Sequence, residues 1–544
     1  MADGRYDAVV VGAGAGGAAA AGRMTQRGWR VLLIDAGPTF NPDRDYGLDR
    51  TDWEKQRFRH KPGSEGETSF APMQPLDPAL ADLRSWSLAQ GPTNRDARRA
   101  VSGPGYHHVR GIGGSTLHFV GEAHRLNPAS MQMRSRFGVA GDWPVSYAEL
   151  EPFYVEAERV LGVAGPQAVG DRWRSAPYPL AAHPLSRASR KLGRGAAALK
   201  MGWEANPRSA LSAVYDGRPA CNYCGGCTHG CPRRDKGSAD VTFIAKAKAS
   251  GRCEVRPEHT LLRIVSGAGG RVEAIEVADP ARKTVRIATP RLVLACGAVE
   301  TPRVLLLQRG LASAQVGRNF LESVAWTSVA DAGEPLLSFG GLPADAISWD
   351  RNRPDATPGV IGGFRMSAAI HEADMIGAIA HAQRAVPGFG RAHKERMRRT
   401  VGSLVAVGAV GESLPHERSK IDLDPKVRDA FGRPLARIHS HVDAMTVKRL
   451  QAMAAASRGL LKASGAGPLV EEFGTYDHFS SAHVFGSCRM GGDPRSSVVD
   501  ANLRVHGVAN LWICDASVFP SSGGGEAPSL TIQALALRAV DRMV

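Results

Sequence analysis

Residues 6–28 read YDAVVVGAGAGGAAAAGRMTQRG: a β-branched run, then closely spaced glycines, then an alanine-rich stretch. That order predicts strand, tight turn and helix, with Gly12, Gly14 and Gly17 at the G-x-G-x-x-G positions. Gly12 permits the turn, Gly14 lets a pyrophosphate approach the backbone, and Gly17 lets helix and strand pack closely. The helix would then aim its N-terminal N–H groups at the phosphates. A second strand, RVLLI at 30–34, ends in Asp35, placed to hydrogen-bond a ribose 2′-hydroxyl. Such a unit commits the start of the chain to a parallel α/β sheet that binds a dinucleotide. It does not by itself separate a nicotinamide from a flavin.

At 544 residues the chain has material for two or more domains. Hydrophobic content of 43% and charged content of 22% are those of an ordinary globular protein. The longest apolar run, at 404–410, is far shorter than a membrane span requires. The opening residues enter a strand pattern at once and carry no secretory signal pattern, so the expected location is cytoplasmic. Net charge is +15, but the basic residues are scattered. The one dense run, RAHKERMRR at 391–399, reads as a solvated helix face, and no nucleic-acid partner is expected.

Three later segments repeat the logic of the first. VRGIGGSTLHFVGEAHR at 109–125 is a second glycine-rich turn, with Gly113, Gly114 and Ser115 able to let a ring system lie on the backbone. PRLVLACGAVETPRVLLL at 290–307 reads as strand, turn and helix, and LWICDASVFPSSGGGEAPSLTIQALALRA at 511–539 as strand, glycine-rich loop and helix. Together with GDWPVSYAELEPFYVEAERVLGVAG at 141–165 and VGRNFLES at 316–323, these resemble the glucose–methanol–choline (GMC) family of FAD-dependent oxidoreductases. The resemblance covers most of the chain, in the family's order.

It implies an α/β fold: a Rossmann-like FAD-binding domain from 1–330 and 480–544, and a substrate-binding cap on an antiparallel sheet from 331–479. It also implies that Asp515 and Ala516 lie near the flavin pyrophosphate and that Val255 meets the adenine. In some members the histidine of a GG-x-x-x-H turn is bonded to the flavin; His118 has that spacing and is read here as packing near the flavin.

SAHVFGSCRMG at 481–491 is similar to the family's H-x-x-G-T-C-x-M-G segment, which places the catalytic histidine at His483. Its role would be to take the hydroxyl proton of an alcohol or sugar while hydride goes to flavin N5. The family's second His or Asn falls on Ala527, which has no polar side chain. Its neighbour Glu526 is the candidate replacement, the alternative being a solvated loop carboxylate.

Four of the eight cysteines fall in CNYCGGCTHGCP, as Cys221, Cys224, Cys227 and Cys231. The C-x2-C-x2-C-x3-C-P spacing is that of bacterial ferredoxin loops. By resemblance, sugar-oxidising members carry an iron–sulfur cluster here, which implies a dehydrogenase passing electrons to a one-electron acceptor protein. Long-chain alcohol oxidases share a similar stretch, so structural or reactive thiols, or zinc, stand as alternatives. The leading expectation is FAD-dependent oxidation of an alcohol or sugar CH–OH group. An oxygen-using oxidase without a cluster and a non-redox lyase on the same fold are its rivals.

Overall fold

The computed structural model describes residues 6–46, 68–92, 105–167, 171–267, 270–308, 310–311, 313–371, 375–477 and 479–543. At its centre is a five-stranded sheet, in the spatial order Cys253–Arg256, Val31–Ile34, Ala8–Val11, Leu292–Leu294, Leu511–Ile513. All four pairings are parallel. The inner strands AVVV, VLLI and LVL are buried at every residue, as a parallel sheet covered on both faces requires. Helix Ala15–Gln26 packs on the C-terminal helix Ser529–Asp541, which packs in turn on helix Tyr147–Leu161. Ser146 and Glu149 close a capping box that starts the last of these.

The small residues of the first helix are what bring it so close to the sheet. A Cβ on Gly17 would lie 1.9 Å from the carbonyl oxygen of Gly12. Gly12 itself has φ +100°, and a Cβ there would lie 2.3 Å from the carbonyl oxygen of Ala295, just past the neighbouring strand Leu292–Leu294.

The second large sheet has eight strands and is built on antiparallel pairs. Its centre is Val324–Asp331, Leu404–Gly411 and Phe364–Ala368, with helix Ala444–Ala463 lying across it. Trp326, Phe364, Val405, Leu450 and Met453 form a separate buried core beneath that helix. This sheet also takes in Trp86–Ser87, Gly91–Pro92 and Glu204–Ala205, and most of Val324–Asp331, which all lie outside 331–479. Chain from before residue 331 thus contributes to this sheet, at its edges through Trp86–Ser87, Gly91–Pro92 and Glu204–Ala205 and at its centre through Val324–Asp331. Among the described residues no helix is long and apolar enough to cross a membrane.

Candidate active site

The glycine turns, Asp35 and Asp515 gather at the C-terminal ends of the parallel strands, where open α/β sheets bind ligands. Gly14 is the N-cap of helix Ala15–Gln26 and offers no side-chain cap, which leaves the first amides of the helix without one. Above it a Cβ would meet nothing nearer than the Cα of Gly114, at 3.9 Å. The second turn approaches from the other side: Gly113 has φ +111°, Gly114 φ +54°, and the short 3-10 turn Gly114–Leu117 follows. Ser115 accepts from the amide of Val109 at 3.3 Å, inside its own loop. This open backbone cradle at a helix N-terminus fits a pyrophosphate.

Asp35 is buried, and burial raises its carboxyl above the usual range while the amides facing it pull the other way. Its two oxygens accept from Ala13 N at 2.9 Å and Gly37 N at 2.8 Å. The residue expected to face a ribose is therefore also the clamp that joins the two ends of the dinucleotide turn. Asp515 does similar work: it accepts from Gly297 N at 2.9 Å, Thr301 Oγ1 at 2.6 Å and Ser517 N at 2.9 Å. Ala516 is buried, and its carbonyl accepts from Gly486 N at 3.1 Å. That bond ties the loop after Asp515 to the segment carrying His483. Val255 is half-buried, beside Leu33 in the strand next to Val31–Ile34.

His483 immediately precedes strand Val484–Phe485, which pairs with Leu321–Glu322. Its carbonyl oxygen accepts from Ser323 N at 2.9 Å and Ser481 Oγ at 3.0 Å, so the backbone is held on both sides. The ring is half-buried and makes no hydrogen bond to the described residues. Desolvation lowers its pKa to about 4, with the Glu122 carboxylate raising it and the Arg365 guanidinium lowering it. The imidazole is thus neutral at neutral pH and open to a proton donor.

Ala527 is buried and brings no polar side chain; its amide donates to His124 Nδ1 at 3.1 Å. Glu526 is 2% exposed, so the solvated-loop alternative is excluded. Its Oε1 accepts from Asn352 Nδ2 at 2.8 Å and Asn127 N at 3.1 Å, with Arg172 at 3.6 Å. The Glu122 carboxylate raises the His483 pKa, while Glu526 Oε1 is taken up by Asn127 and Asn352. The sequence signal for Glu122 and His124 lay inside the second glycine-rich segment but carried no spacing to single them out. Arg365 lies in the stretch without motifs.

The cysteine loop differs from the expected cluster cage. Among the described residues no three His, Cys, Asp or Glu side chains converge to hold a metal ion. Cys224 is exposed, whereas Cys227 is buried. Burial pushes Cys221 up to about 12 and Cys227 up to about 11, and raises Cys231, so these thiols are protonated. Lys236, buried below, anchors the loop: its Nζ donates to the carbonyls of Cys227 at 2.7 Å and of Leu117 and Phe119, each at 2.9 Å. This draws Cys227 inward, while Cys231 Sγ turns to Asp235 Oδ1 at 3.3 Å. The thiols as placed do not fit a cluster or a zinc site. The same lysine anchors the carbonyls on either side of His118, which is buried at the end of its turn.

Comparison with known proteins bears on this arrangement. The chain is 28% identical to the fructose dehydrogenase large subunit of Gluconobacter japonicus, over 99% of this chain and 97% of that protein. It is 26% identical to the 2-methyl-1,2-propanediol dehydrogenase of Mycolicibacterium austroafricanum, over 98% and 94% respectively. The structure superimposes on a formate oxidase variant of Aspergillus oryzae, studied for its FAD modification, with a TM-score of 0.66. That match is 14% identical and covers 100% of this chain and 99% of the other, and it shows a shared fold. Residues 141–325 and 415–536 match the N- and C-terminal models of GMC oxidoreductase, and the chain belongs to that family.

Proposed function

We propose that the protein is an FAD-dependent dehydrogenase that oxidises a CH–OH group of an alcohol or sugar to a carbonyl, with His483 as the base. The observation that carries this reading is a neutral, half-buried imidazole with no hydrogen-bond partner among the described residues, fixed by its own backbone beside the dinucleotide cradle. Gly12, Gly14, Gly113 and Gly114 would hold the FAD, with Asp35 toward the ribose, Val255 toward the adenine, and Asp515 and Ala516 near the pyrophosphate. When bound, FAD supplies the hydride acceptor.

His483 takes the hydroxyl proton as the carbinol carbon gives up its hydride, so one proton and one hydride, two hydrogens and one electron pair in all, leave the substrate. Substrates named for the relatives, fructose and a small diol, support an alcohol or sugar. The thiols of the cysteine loop do not fit a cluster, and we draw no electron route through them.

Two measurements test the reading. Candidate polyols and sugars mixed without oxygen should bleach the flavin absorbance, and His483→Ala should keep the flavin but lose at least ~10²-fold in reduction rate. A lyase would turn over substrate with the flavin absorbance unchanged. An oxidase would recover its colour on admission of air with stoichiometric peroxide, whereas a dehydrogenase needs an artificial acceptor. Unchanged reduction in His483→Ala would overturn the base assignment.

A further inference from the structure

A closed ring of buried polar groups joins the two sides of the site where Ala527 leaves a side-chain position without chemistry. The amide of Ala527 donates to His124 Nδ1 at 3.1 Å, so that nitrogen carries no proton. Nε2–H of His124 then donates to Asn206 Oδ1 at 2.7 Å. Asn206 Nδ2 donates to Glu122 Oε1 at 2.9 Å, and Glu122 Oε2 accepts from Arg365 at 2.6 Å. Arg365 Nε closes the circuit by donating to the carbonyl oxygen of Gly525 at 3.1 Å. The circuit starts at Ala527 and returns two residues away, through side chains from three distant stretches of sequence.

Every member is buried, with Glu122 and Arg365 each 4% exposed. An ion pair so deep is expensive to desolvate and is retained only where its geometry and remaining bonds are good. Here they are. Arg365 also donates to Ser367 Oγ, and Asn206 also donates to the Ala344 carbonyl at 2.8 Å. The loop is pressed onto two paired strands of the second sheet: a Cβ on Gly525 would lie 2.0 Å from the carbonyl oxygen of Val410, in Leu404–Gly411, and 2.9 Å from Cγ of Arg365, in Phe364–Ala368. The desolvation that would raise the Glu122 carboxyl is outweighed by the Arg365 cation, which holds it at about 2, and desolvation lowers His124 to about 3, so its ring is neutral.

We propose that Glu122 and Arg365 are positioning residues for His483: their ring fixes the backbone at the empty Ala527 position and holds one carboxylate and one guanidinium, paired and buried, on that side of the site. The inference rests on His483 being that base. As the proton arrives, the Glu122 carboxylate stabilises the imidazolium, and the Arg365 cation limits that effect so that the proton can leave again. Glu322, on the strand paired with Val484–Phe485, accepts from Ser440 Oγ, and His107 meets the segment through its amide, which donates to the Ser481 carbonyl.

The test uses the flavin-loaded protein and opposite signs. In Glu122→Gln the titration of His483, followed by NMR of ring-labelled histidine and by the acid limb of the flavin-reduction profile, should move to lower pH. In Arg365→Gln it should move to higher pH. A role confined to packing would move both variants the same way or neither, and that result overturns the proposal.

If either single variant fails to fold because it strands a buried charge, the double variant Glu122→Gln/Arg365→Gln removes both charges together. It should lose about tenfold or more in reduction rate with flavin content unchanged, and parental rates in it would equally overturn the proposal. Should the NMR shifts appear as stated while His483→Ala still reduces flavin normally, the charge coupling stands and the base assignment alone falls.

Discussion

Gly114 and Gly14 meet across the dinucleotide cradle so closely that a Cβ on Gly114 would lie 2.6 Å from the Cα of Gly14. Two turns that are a hundred residues apart in the chain thus form one surface, and the fingerprint glycines do different work on it. Gly14 faces open space with an extended φ of −78°, while Gly17 is jammed against Gly12. Gly14→Val should therefore fold with nearly parental thermal stability yet purify colourless, because its side chain would fill the space a pyrophosphate needs. Gly17→Val should fail to accumulate as folded protein. Circular dichroism and flavin absorbance on the two variants check this, and a fully yellow Gly14→Val would remove the pyrophosphate from that position.

Glu412 gives a pH dependence of known sign. It is fully buried, and desolvation, with repulsion from Glu526 added and the Arg449 cation opposing, pushes it up to about 8. A carboxyl whose pKa is higher folded than unfolded contributes stability that is complete below about pH 4.5 and is lost as pH rises through 8. Glu412→Gln keeps the shape without the titration. Its stability relative to the parent should improve progressively from pH 5 to pH 9, by roughly 1 kcal/mol or more at the upper end. Denaturant midpoints at several pH values measure it, and parallel curves for parent and variant would contradict the burial of this carboxyl.

The cysteine loop makes a reactivity prediction. Cys224 is the exposed thiol of the loop, whereas Cys227, Cys488 and Cys514 are buried. A thiol reagent should label Cys224 first in the native protein and leave those three unmodified until unfolding. Lys236→Met removes three hydrogen bonds at once, to the carbonyls of Leu117, Phe119 and Cys227. It should lower stability by about 1–3 kcal/mol per stranded group, open Cys227 to labelling, and loosen flavin binding through the turn at His118. Mass spectrometry after timed labelling reports both thiols, and a protected Cys227 in Lys236→Met would show that the lysine does not hold the loop.

What the sequence determined by itself lies where neighbours in the chain are neighbours in space. The unit from Ala8 to Asp35 was legible because strand, turn, helix and strand follow directly, and each glycine answers a local steric demand. The segment around His483 was legible through its resemblance to a family motif, and the missing group at Ala527 by counting back from Pro528-Ser529-Leu530-Thr531 against the same family's final loop. Only the tertiary structure decided what surrounds that gap. Glu526 is adjacent to Ala527 in the chain, yet its side chain is turned toward Asn127 and Asn352; Glu122 meets Arg365 across 243 residues of sequence. No spacing rule encodes such a pair, because it exists only once a strand of the second sheet is pressed onto the glycine loop. The cysteines make the same point. Their spacing read as a ligand set, but a lysine that reaches back 119 residues to Leu117 determines which of them point inward. Local pattern specifies elements and the chemistry of single residues; long-range packing assigns each buried charge its partner, since a buried charge takes whichever partner folding brings within reach.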